Sequence, residues 1–377
     1  MVVFTMLDLT INWLPSINVM FLFRFLVGLT VPILLGNSFN LCMEICELRY
    51  RSVYGILSGL PWALATAAYG VVAYFIRDWR WLQFTLALQC IVYLPAMWFL
   101  DESPRWLAVN GHTKRALAIL RSAERLNKST LPSDEHLLSV LVSTHESSVG
   151  FGETKKTKIQ LLTREISSLF HTAIRARVLI MWFMFIVAMM IYYGLSMAPV
   201  SYNVNPFMYM FLTGLMELPA YSLPAPIISR WGRRWPTALS YATSGVALLA
   251  LAWTPSQIVW LVMTLAMVGK LCISMAFQIV YLFSVELLPT EIRTTGLGSM
   301  VFVSRFGAIV TPFITDTLRS LVPWAPSLLF GALSIVAVPL CLRLPETKSK
   351  PVPDTIKELA EQKKKWQERD ENLLQKR

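Results

Sequence analysis

Long runs of apolar residues alternate along the chain with shorter polar segments. An α-helix rises 1.5 Å per residue, so about 20 apolar residues cross the roughly 30 Å hydrocarbon core of a bilayer. Nine runs of this length are predicted to be membrane-spanning helices, with approximate limits 17–44, 52–76, 79–100, 178–199, 205–229, 236–254, 256–283, 294–316 and 322–343. The apolar segment 1–13 is about half a span and is interpreted as part of a further helix.

The composition supports a multi-pass membrane protein. Hydrophobic residues make up 55% of the 377 residues and charged residues only 15%, whereas soluble proteins contain about 25% charged residues. So few charged side chains cannot coat a soluble protein with this much apolar surface, and the same composition excludes a disordered chain. The predicted fold class is therefore an all-α membrane protein.

The basic residues predict the orientation. Most of the 34 Lys and Arg residues fall in alternate connections, which places the loop 101–177 and the tail 344–377 in the cytoplasm. The other predicted parts are a partial N-terminal helical half, 1–100, and a C-terminal six-helix half, 178–343. The net charge of +11 then reflects topology and the anionic inner leaflet, so the expected partner is the lipid bilayer and not a nucleic acid.

The polar segments have secondary structure predictions of their own. Lys114–Leu126 has apolar residues three and four apart and is predicted to be helical. Ser139–Gly152 is interpreted as a flexible linker, and Asp354–Arg377 as a mixed-charge helix.

One charged pattern occurs twice at the cytoplasmic ends of predicted spans. Glu44 is followed by Arg51 after six intervening residues, and Glu286 is followed in the same way by Arg293. Each acid ends one helix and each base begins the next, which suits an ionic latch between neighbouring helices.

A second pattern also occurs twice, and its two copies are separated by nearly the same number of residues as the two copies of the first. Glu102-Ser-Pro-Arg105 follows one predicted span, and Glu346-Thr-Lys348 follows another. The two repeats indicate equivalent halves around a long loop. Because six spans follow this loop and only three and a partial one precede it, the prediction is a 6+6 helical fold without its first two helices and part of its third.

Seven short motifs are spread over nearly the whole chain: Arg24-Phe-Leu-Val-Gly28, Asp78-Trp-Arg-Trp-Leu-Gln83, Glu102-Ser-Pro-Arg-Trp-Leu107, Ser229-Arg-Trp-Gly-Arg-Arg234, Glu286-Leu-Leu-Pro-Thr-Glu-Ile-Arg293, Pro345-Glu-Thr-Lys348 and Pro353-Asp-Thr355. Together they resemble the motifs of solute carrier family 22, the organic ion transporters of the major facilitator superfamily. Two residues depart from the family pattern: Ser229 stands where Asp is usual, and Leu288 where Tyr is usual. The glycosylated, cysteine-rich loop after the family's first helix is absent.

Four charged residues lie in the interior of predicted spans, away from the span ends: Arg24, Glu217, Lys270 and Arg305. A charge at the centre of a membrane helix costs about 2.5–3.5 kcal/mol on insertion scales, so each residue is a candidate for function. Lys270 and Arg305 lie mid-span in the C-terminal half with one deep acid, Glu217. The excess of positive charge favours anions over cations.

Alternatives to substrate binding remain for both basic residues. Lys270 could form an ion pair with Glu217 that only holds helices together, and Arg305 could bind backbone carbonyl groups or extend towards the interface. The family resemblance favours substrate binding, because it places Arg305 where anion-carrying members have Arg and cation-carrying members have Asp. It likewise matches Lys270 to a Lys of the anion branch.

The other intramembrane charges are expected to have structural or gating roles. Arg24 with Gly28 resembles an Arg-x3-Gly element of the superfamily, and Glu217 is interpreted as the partner of a basic residue. The same structural or gating roles are predicted for the charges at helix ends, namely Glu44, Arg51, Glu102, Arg105, Arg230, Arg233, Arg234, Glu286 and Arg293.

Aromatic and amide side chains are predicted to complete the substrate pocket. Tyr192 and Tyr193 match a Tyr-Tyr-Gly element of the anion branch, and aromatic rings suit flat amphipathic carboxylates. The remaining candidates are Trp62, Phe277, Asn37 and Gln278. Lipid contact or core packing is the alternative for the aromatic residues, and helix–helix hydrogen bonding for the amides.

The leading hypothesis is a secondary transporter of organic anions that works by alternating access at the plasma membrane. The resemblance further implies exchange for an intracellular dicarboxylate. The alternatives are a transporter of organic cations or zwitterions, and a truncated, transport-inactive membrane protein. The sequence has no phosphate-binding loop, hydrolase motif or metal-ligand spacing, so neither an enzyme nor a cofactor is expected. It does not reveal the oligomeric state.

Overall fold

The computed structural model describes residues 1–47, 54–55, 57–150, 167–172, 174–197, 205–255 and 257–348. These residues are mainly helical, and no strand occurs among them. The predicted all-α class is therefore confirmed. The chain divides into two compact units, Met1–Gly55 with Val72–Lys156 and Ile56–Val71 with Thr157–Arg377. The boundaries that the sequence predicts between an N-terminal half, a loop, a C-terminal half and a tail, after residues 100, 177 and 343, stay predictions.

The first seven helices include four apolar helices and three short polar ones. In chain order they are α1 Val2–Ile11, α2 Ile17–Ile45, α3 Leu60–Phe75, α4 Trp79–Ala96, α5 Pro104–Val109, α6 Thr113–Asn127 and α7 Asp134–Gly150. Residues of α3 up to Val71 group with the second unit. The helix predicted at Lys114–Leu126 is confirmed by α6, whereas the linker predicted at Ser139–Gly152 is wrong for the described residues 139–150, which are helical.

The remaining helices belong to the second unit. They are α8 Arg175–Ser196, α9 Pro206–Ser222, α10 Pro224–Trp231, α11 Arg234–Trp253, α12 Val259–Leu287, α13 Arg293–Phe313 and α14 Ala325–Leu342. A π-helical turn, Ile314–Leu318, and a short turn, Arg319–Leu321, continue α13. Pro312, which lacks a backbone N–H, lies just before the π turn.

Local sequence signals explain where several helices begin. The Asp78 side chain accepts a hydrogen bond from the Arg80 backbone N–H at the start of α4. Asn205 caps α9 in the same way, and Pro206 follows at the first helical position, where no backbone donor is needed. The predicted span 205–229 is divided because α9 ends at Ser222 and Pro224 begins a new helix.

Eight of the nine predicted spans each correspond to one apolar helix with changes at the ends, whereas 205–229 corresponds to α9 and α10. The described residues contain five helices that are long and apolar enough to cross a membrane: Ile17–Phe39, Arg175–Ser196, Val259–Leu287, Arg293–Leu321 and Ala325–Leu342. In the range predicted at 52–76 the structure has the helix Leu60–Phe75, preceded by helical residues 54, 55 and 57, and part of the range lies outside the described residues.

The core of the second unit is formed by α8, α11, α12, α13 and α14. Tyr241 on α11 is fully buried, and its hydroxyl donates to the Met184 carbonyl at 2.8 Å. The α11 and α14 backbones approach closely at Gly245 and Gly331, where a Cβ on either glycine would lie 3.1 Å from the other's carbonyl oxygen. Small residues at such crossings are typical of packed membrane helices.

Candidate functional site

Lys270 on α12 lies in the interior of the second unit. Its Nζ is 3.5 Å from Glu217 Oε1 on α9, and both residues are 0% exposed. The structure therefore contains the ion pair that the sequence left as one alternative for Lys270. Removing one partner of such a pair leaves a buried charge without compensation, which is strongly unfavourable.

Two residues of α8 complete the surroundings of the Lys270 ammonium. Nζ donates to Ser196 Oγ at 2.6 Å and to the Tyr192 carbonyl oxygen at 3.1 Å. It also lies 3.1 Å from the centre of the Tyr192 ring, an arrangement with cation–π character. Three helices thus meet at one amine.

Tyr192 connects this pair to α3. Its hydroxyl donates to Glu217 Oε1 at 2.7 Å and accepts from Trp62 Nε1 at 3.3 Å. We call Lys270, Glu217, Tyr192, Ser196 and Trp62 the Lys270 cluster. Tyr192 is half-buried and Trp62 is exposed, so the cluster runs from the core to an accessible edge.

Three buried polar atoms on the same helices lack a hydrogen-bond partner within the described chain. They are Glu217 Oε2, Thr213 Oγ1 and Ser274 Oγ. Thr213 precedes Glu217 by one helical turn, and Ser274 follows Lys270 by one turn, so each lies on the same helix face as a member of the ion pair. The polar groups around the ion pair therefore form only part of the hydrogen bonds they could form.

A close approach of α3 and α9 helps to hold Glu217 in place. A Cβ on Gly214 would collide with the backbone of Ala67. Likewise, a Cβ on Gly70 would lie 2.6 Å from the Phe211 backbone nitrogen. Only glycine at these two positions permits so short a distance between the α3 and α9 backbones. Gly214 lies three residues before the buried Glu217.

Arg305 on α13 has different surroundings. Its side chain is exposed, and the structure gives it no hydrogen bond or ion pair with any described residue. The exposed rings of Phe302 and Phe306 are 5.5 Å apart. Phe302 lies about one turn before Arg305, and Phe306 is the next residue in the chain. Thr311, which packs against Met190 of α8, is six residues further along, about 9 Å by helical rise.

The other predicted substrate residues are dispersed. Tyr193 contacts the Tyr192 ring edge-on at 5.5 Å. Phe277 packs against buried Phe185, in keeping with the core alternative. Gln278 is half-buried on α12, and Asn37 is exposed on α2 in the other unit.

Arg24 belongs to a polar chain in the first unit. Its guanidinium donates to Gln83 Oε1 on α4, and Gln83 Nε2 donates to Asp8 Oδ1 on α1 at 2.9 Å. Gln83 thus bridges a base and an acid from two other helices.

The ionic latch predicted at Glu286 forms with Arg233. Arg233 Nη2 lies 2.7 Å from Glu286 Oε1, and the Thr347 hydroxyl donates to Oε2 of the same carboxylate at 2.5 Å. Arg293 begins α13 as predicted, but its Nε is buried without a hydrogen-bond partner in the described chain. The sequence pattern located the acid correctly and missed its partner, which is 53 residues away in the chain.

Glu346 occupies the N-terminal end of α11. Its carboxylate accepts from the backbone N–H groups of Arg233, at 2.9 Å, and Arg234, at 3.0 Å. Burial alone would raise the pKa of Glu346, but four backbone N–H groups outweigh it and hold the pKa below its ordinary value. Gly232 has φ +81°, and a Cβ there would lie 2.7 Å from this carboxyl group.

The remaining predicted charges make weaker contacts or lie outside the described residues. The Arg230 carbonyl accepts from Lys348 Nζ at 2.6 Å, and exposed Glu102 is 3.5 Å from Arg115. Arg105 and Glu44 are exposed. Arg51 lies outside the described residues.

Several contacts of the candidate site were missed by sequence reasoning. Ser196 follows Tyr192 by four residues, and this spacing placed both on one face, so a signal for it was present. Thr213, Ser274 and Thr347 carried no such signal, because hydroxyl residues are common in apolar helices and at helix ends.

Buried and mid-span charges within apolar helices define a multi-pass membrane protein with a polar interior. A family model described as "Sugar (and other) transporter" matches residues 1–357. The chain belongs to this family, whose members are transporters and not enzymes.

Curated relatives include members of solute carrier family 22 and an organic cation transporter protein. The Drosophila melanogaster organic cation transporter protein is 31% identical over 89% of this chain and 60% of the relative. Solute carrier family 22 member 6 of Pseudopleuronectes americanus is 32% identical over 92% and 60%, and member 2 of Homo sapiens is 32% identical over 91% and 60%. The chain thus spans about 60% of the length of these relatives.

Solved structures identify the fold as that of the major facilitator superfamily. The chain matches the proton:xylose symporter XylE bound to 6-bromo-6-deoxy-D-glucose with a TM-score of 0.67, at 17% identity, over 95% of this chain and 81% of that one. It matches the inward open conformation of E. coli XylE with a TM-score of 0.65, at 15% identity, over 95% and 80%.

Proposed function

We propose that the protein is a secondary active transporter of organic anions that works by alternating access at the plasma membrane, with the 101–177 connection and the C-terminus in the cytoplasm. Exchange for an intracellular dicarboxylate is part of the proposal. The membrane fold and the transporter family support transport, and the intramembrane charges support the choice of anion.

The observation that carries this proposal is Arg305. An arginine in the middle of an apolar helix is unfavourable unless it is paired or faces a polar cavity, and Arg305 is exposed without a partner among the described residues. A planar guanidinium with five donors suits a carboxylate. Phe302 and Phe306 add an aromatic surface next to it for the apolar part of a substrate.

The Lys270 cluster supplies a second candidate position for an anion. Lys270 is fully buried and already paired, so Arg305 is the more available of the two basic groups. Tyr192 and Trp62 form the accessible edge of the cluster and are the proposed aromatic contacts there. Tyr193, Phe277, Gln278 and Asn37 stay proposals as substrate ligands.

Transport of organic cations or zwitterions is the second candidate. Glu217 Oε2 is a buried acceptor without a hydrogen-bond partner among the described residues, and such an atom suits a donor or a cation. One relative is named an organic cation transporter protein. The excess of basic over acidic intramembrane groups favours the anion.

Uptake in cells that express the chain as given tests the proposal. A labelled aromatic carboxylate is compared with a labelled quaternary amine, each with and without a preloaded dicarboxylate, and vector-only cells give the background. We expect carboxylate uptake that the preloaded dicarboxylate increases.

Preference for the amine would support the second candidate instead. No uptake of either compound, with the protein verified at the cell surface, would contradict both and support a transport-inactive membrane protein.

A further inference from the structure

Two of the five cysteines stand together at the end of α2. Cys42 is exposed and Cys46 is half-buried, whereas Cys272 and Cys341 are buried in the second unit. The Cys46 backbone N–H donates to the Cys42 carbonyl at 3.0 Å, so the helical turn between them is intact. Residues four apart on a helix lie on the same face. We call Cys42 and Cys46 the cysteine pair.

The cysteine pair lies at the level of the lipid headgroups. The apolar span of α2 ends at Phe39, and the exposed acids Glu44 and Glu47 follow it. By helical rise, Cys42 is about 4.5 Å and Cys46 about 10 Å beyond Phe39. The polar layer on each side of the hydrocarbon core of a bilayer is about 5–8 Å thick. Cys42 therefore lies within this layer, and Cys46 lies at its outer edge.

An exposed apolar stripe leads from the cysteine pair into the membrane span. Leu35 and Phe39 precede Cys42 by seven and three residues, which places all three on one helix face. Leu35 is 58% exposed and Phe39 is 39% exposed. No side chain of Ile17–Phe39 is buried by the part of the chain that the structure describes. A hydrocarbon chain attached to the pair has room to lie along this stripe.

The proposed orientation places this end of α2 in the cytoplasm. Two predicted spans separate it from the 101–177 connection, so both lie on the same side of the membrane. Arg49 and Arg51 follow the pair in the sequence, and basic residues next to a span favour the cytoplasmic side. Thiols are kept reduced there, so the pair is available for reaction as thiols.

From these positions we propose that the cysteine pair is a site of reversible S-acylation by long-chain fatty acids. The inference goes beyond the proposed function and rests only on its orientation. The sulfur of the cysteine attacks the thioester carbonyl of a long-chain acyl-CoA. A carbon–sulfur bond to the cysteine forms, the carbon–sulfur bond to coenzyme A breaks, and the thiol proton passes to the coenzyme A sulfur. Nothing is oxidised or reduced.

Acylation would change the surroundings of the end of α2. The acyl chains bury their methylene groups in the inner leaflet and cover the exposed stripe at Leu35 and Phe39. At Cys46 the reaction replaces a weak contact, the hydrogen bond that its thiol donates to the Glu47 carbonyl at 3.6 Å. Because α2 is itself long and apolar enough to span the membrane, acylation would adjust the position of its end and is not needed for membrane attachment.

Acyl exchange in cells that express the full chain tests the site. Free thiols are blocked, thioesters are cleaved with neutral hydroxylamine, and the released thiols are coupled to a poly(ethylene glycol) maleimide that slows the protein in a gel. We expect hydroxylamine-dependent slow bands from the wild type and their loss in Cys42→Ser/Cys46→Ser. In parallel, cells receive a long-chain fatty acid with a terminal alkyne, and peptide mass spectrometry of the wild type should find this acyl group on the cysteine pair.

Cys90→Ser is the matched control, because Cys90 lies within α4 in the same unit, away from both helix ends. It should keep the wild-type bands. A wild type without hydroxylamine-dependent bands would overturn the inference, and so would bands that persist in the double variant. Acyl groups found only on other cysteines of the wild type would overturn it even if the double variant failed to fold.

A membrane-impermeant maleimide separates this inference from the orientation on which it rests. Labelling of the wild type in intact cells that the double variant lacks would overturn the proposed orientation and the inference together. A wild type that has no thioester and is labelled only after permeabilisation would overturn the inference and leave the orientation intact.

Discussion

Lys270 and Arg305 are both mid-span basic residues of the C-terminal helices, yet their surroundings differ in almost every respect. Lys270 is 0% exposed and is held by an ion pair, two hydrogen bonds and an aromatic ring. Arg305 is exposed and has no polar partner among the described residues. Lys270 joins three helices, whereas Arg305 is the proposed ligand-binding group.

A charged residue within a membrane span can therefore have one of two different roles. A buried charge with a full set of partners contributes to structure, and it becomes available only when one partner is displaced. An unpaired charge is unfavourable in the empty protein and gains most when an anion arrives. The two residues should therefore respond differently to the same substitution.

Replacement of Lys270 should have the largest effect on stability. Lys270→Met leaves Glu217 buried without its counter-charge, which should lower the free energy of unfolding by about 3–5 kcal/mol. Thermal unfolding of detergent-purified protein measures this loss. The double variant Glu217→Gln/Lys270→Met should regain most of it, and Arg305→Met should remain close to wild type. Equal losses in Lys270→Met and Arg305→Met would refute the comparison.

The position of Glu217 depends on the close approach of α3 and α9. Gly214→Leu adds a side chain where the Ala67 backbone already leaves no room, and overpacking of this kind costs about 1–3 kcal/mol. The unfolding temperature should therefore fall. Gly28→Leu is the matched control, because a Cβ there has no neighbour within 4 Å. A larger loss in the control would contradict the tight packing.

The accessible edge of the cluster should matter less for stability. Trp62→Phe keeps an aromatic ring and removes the donor to the Tyr192 hydroxyl, a contact of 3.3 Å. A net loss of about 0.5–1.5 kcal/mol is expected for one hydrogen bond. Unfolding measurements would check this loss of stability. Trp260→Phe is the control, because Trp260 is an exposed Trp outside the cluster.

Glu346 is a half-buried acid that backbone N–H groups hold instead of a cation. Its folded-state pKa lies below the ordinary value, so its stabilising contribution is present at neutral pH. That contribution is lost as the pH falls from the ordinary Glu value of about 4.3 towards the lower folded value. The difference in unfolding temperature between wild type and Glu346→Gln should be smaller at pH 4 than at pH 6. A constant difference would contradict the assigned backbone contacts.

Much of the fold was predictable because helix length and apolar content follow directly from the sequence. The span 178–199 corresponds to α8 within three residues, and 236–254 to α11 within two. The wrong linker prediction at Ser139–Gly152 came from its polar composition. Asp134 and Glu135, two acids in the first turn of α7, were a helix-start signal that was overlooked.

The candidate site was less predictable because a hydropathy pattern does not give the rotation of a helix or its neighbours. Lys270 contacts residues of α8 and α9 that are more than 50 positions earlier in the chain. The same limit applies to Glu286, whose partner Arg233 lies on the loop before α11. Spacing within one helix carried a usable signal, the four residues from Tyr192 to Ser196, although it was overlooked, whereas spacing between helices carried none.

Stabilisation by ligand tests most directly whether Arg305 is the available anion-binding group. Detergent-purified wild type and Arg305→Met would be heated with increasing concentrations of an aromatic carboxylate, with a quaternary amine of similar size as control. A ligand that binds only the folded protein raises its unfolding temperature. We expect a carboxylate-dependent rise in the wild type that is absent in Arg305→Met. An equal rise in both proteins would show that Arg305 is not the anion-binding group.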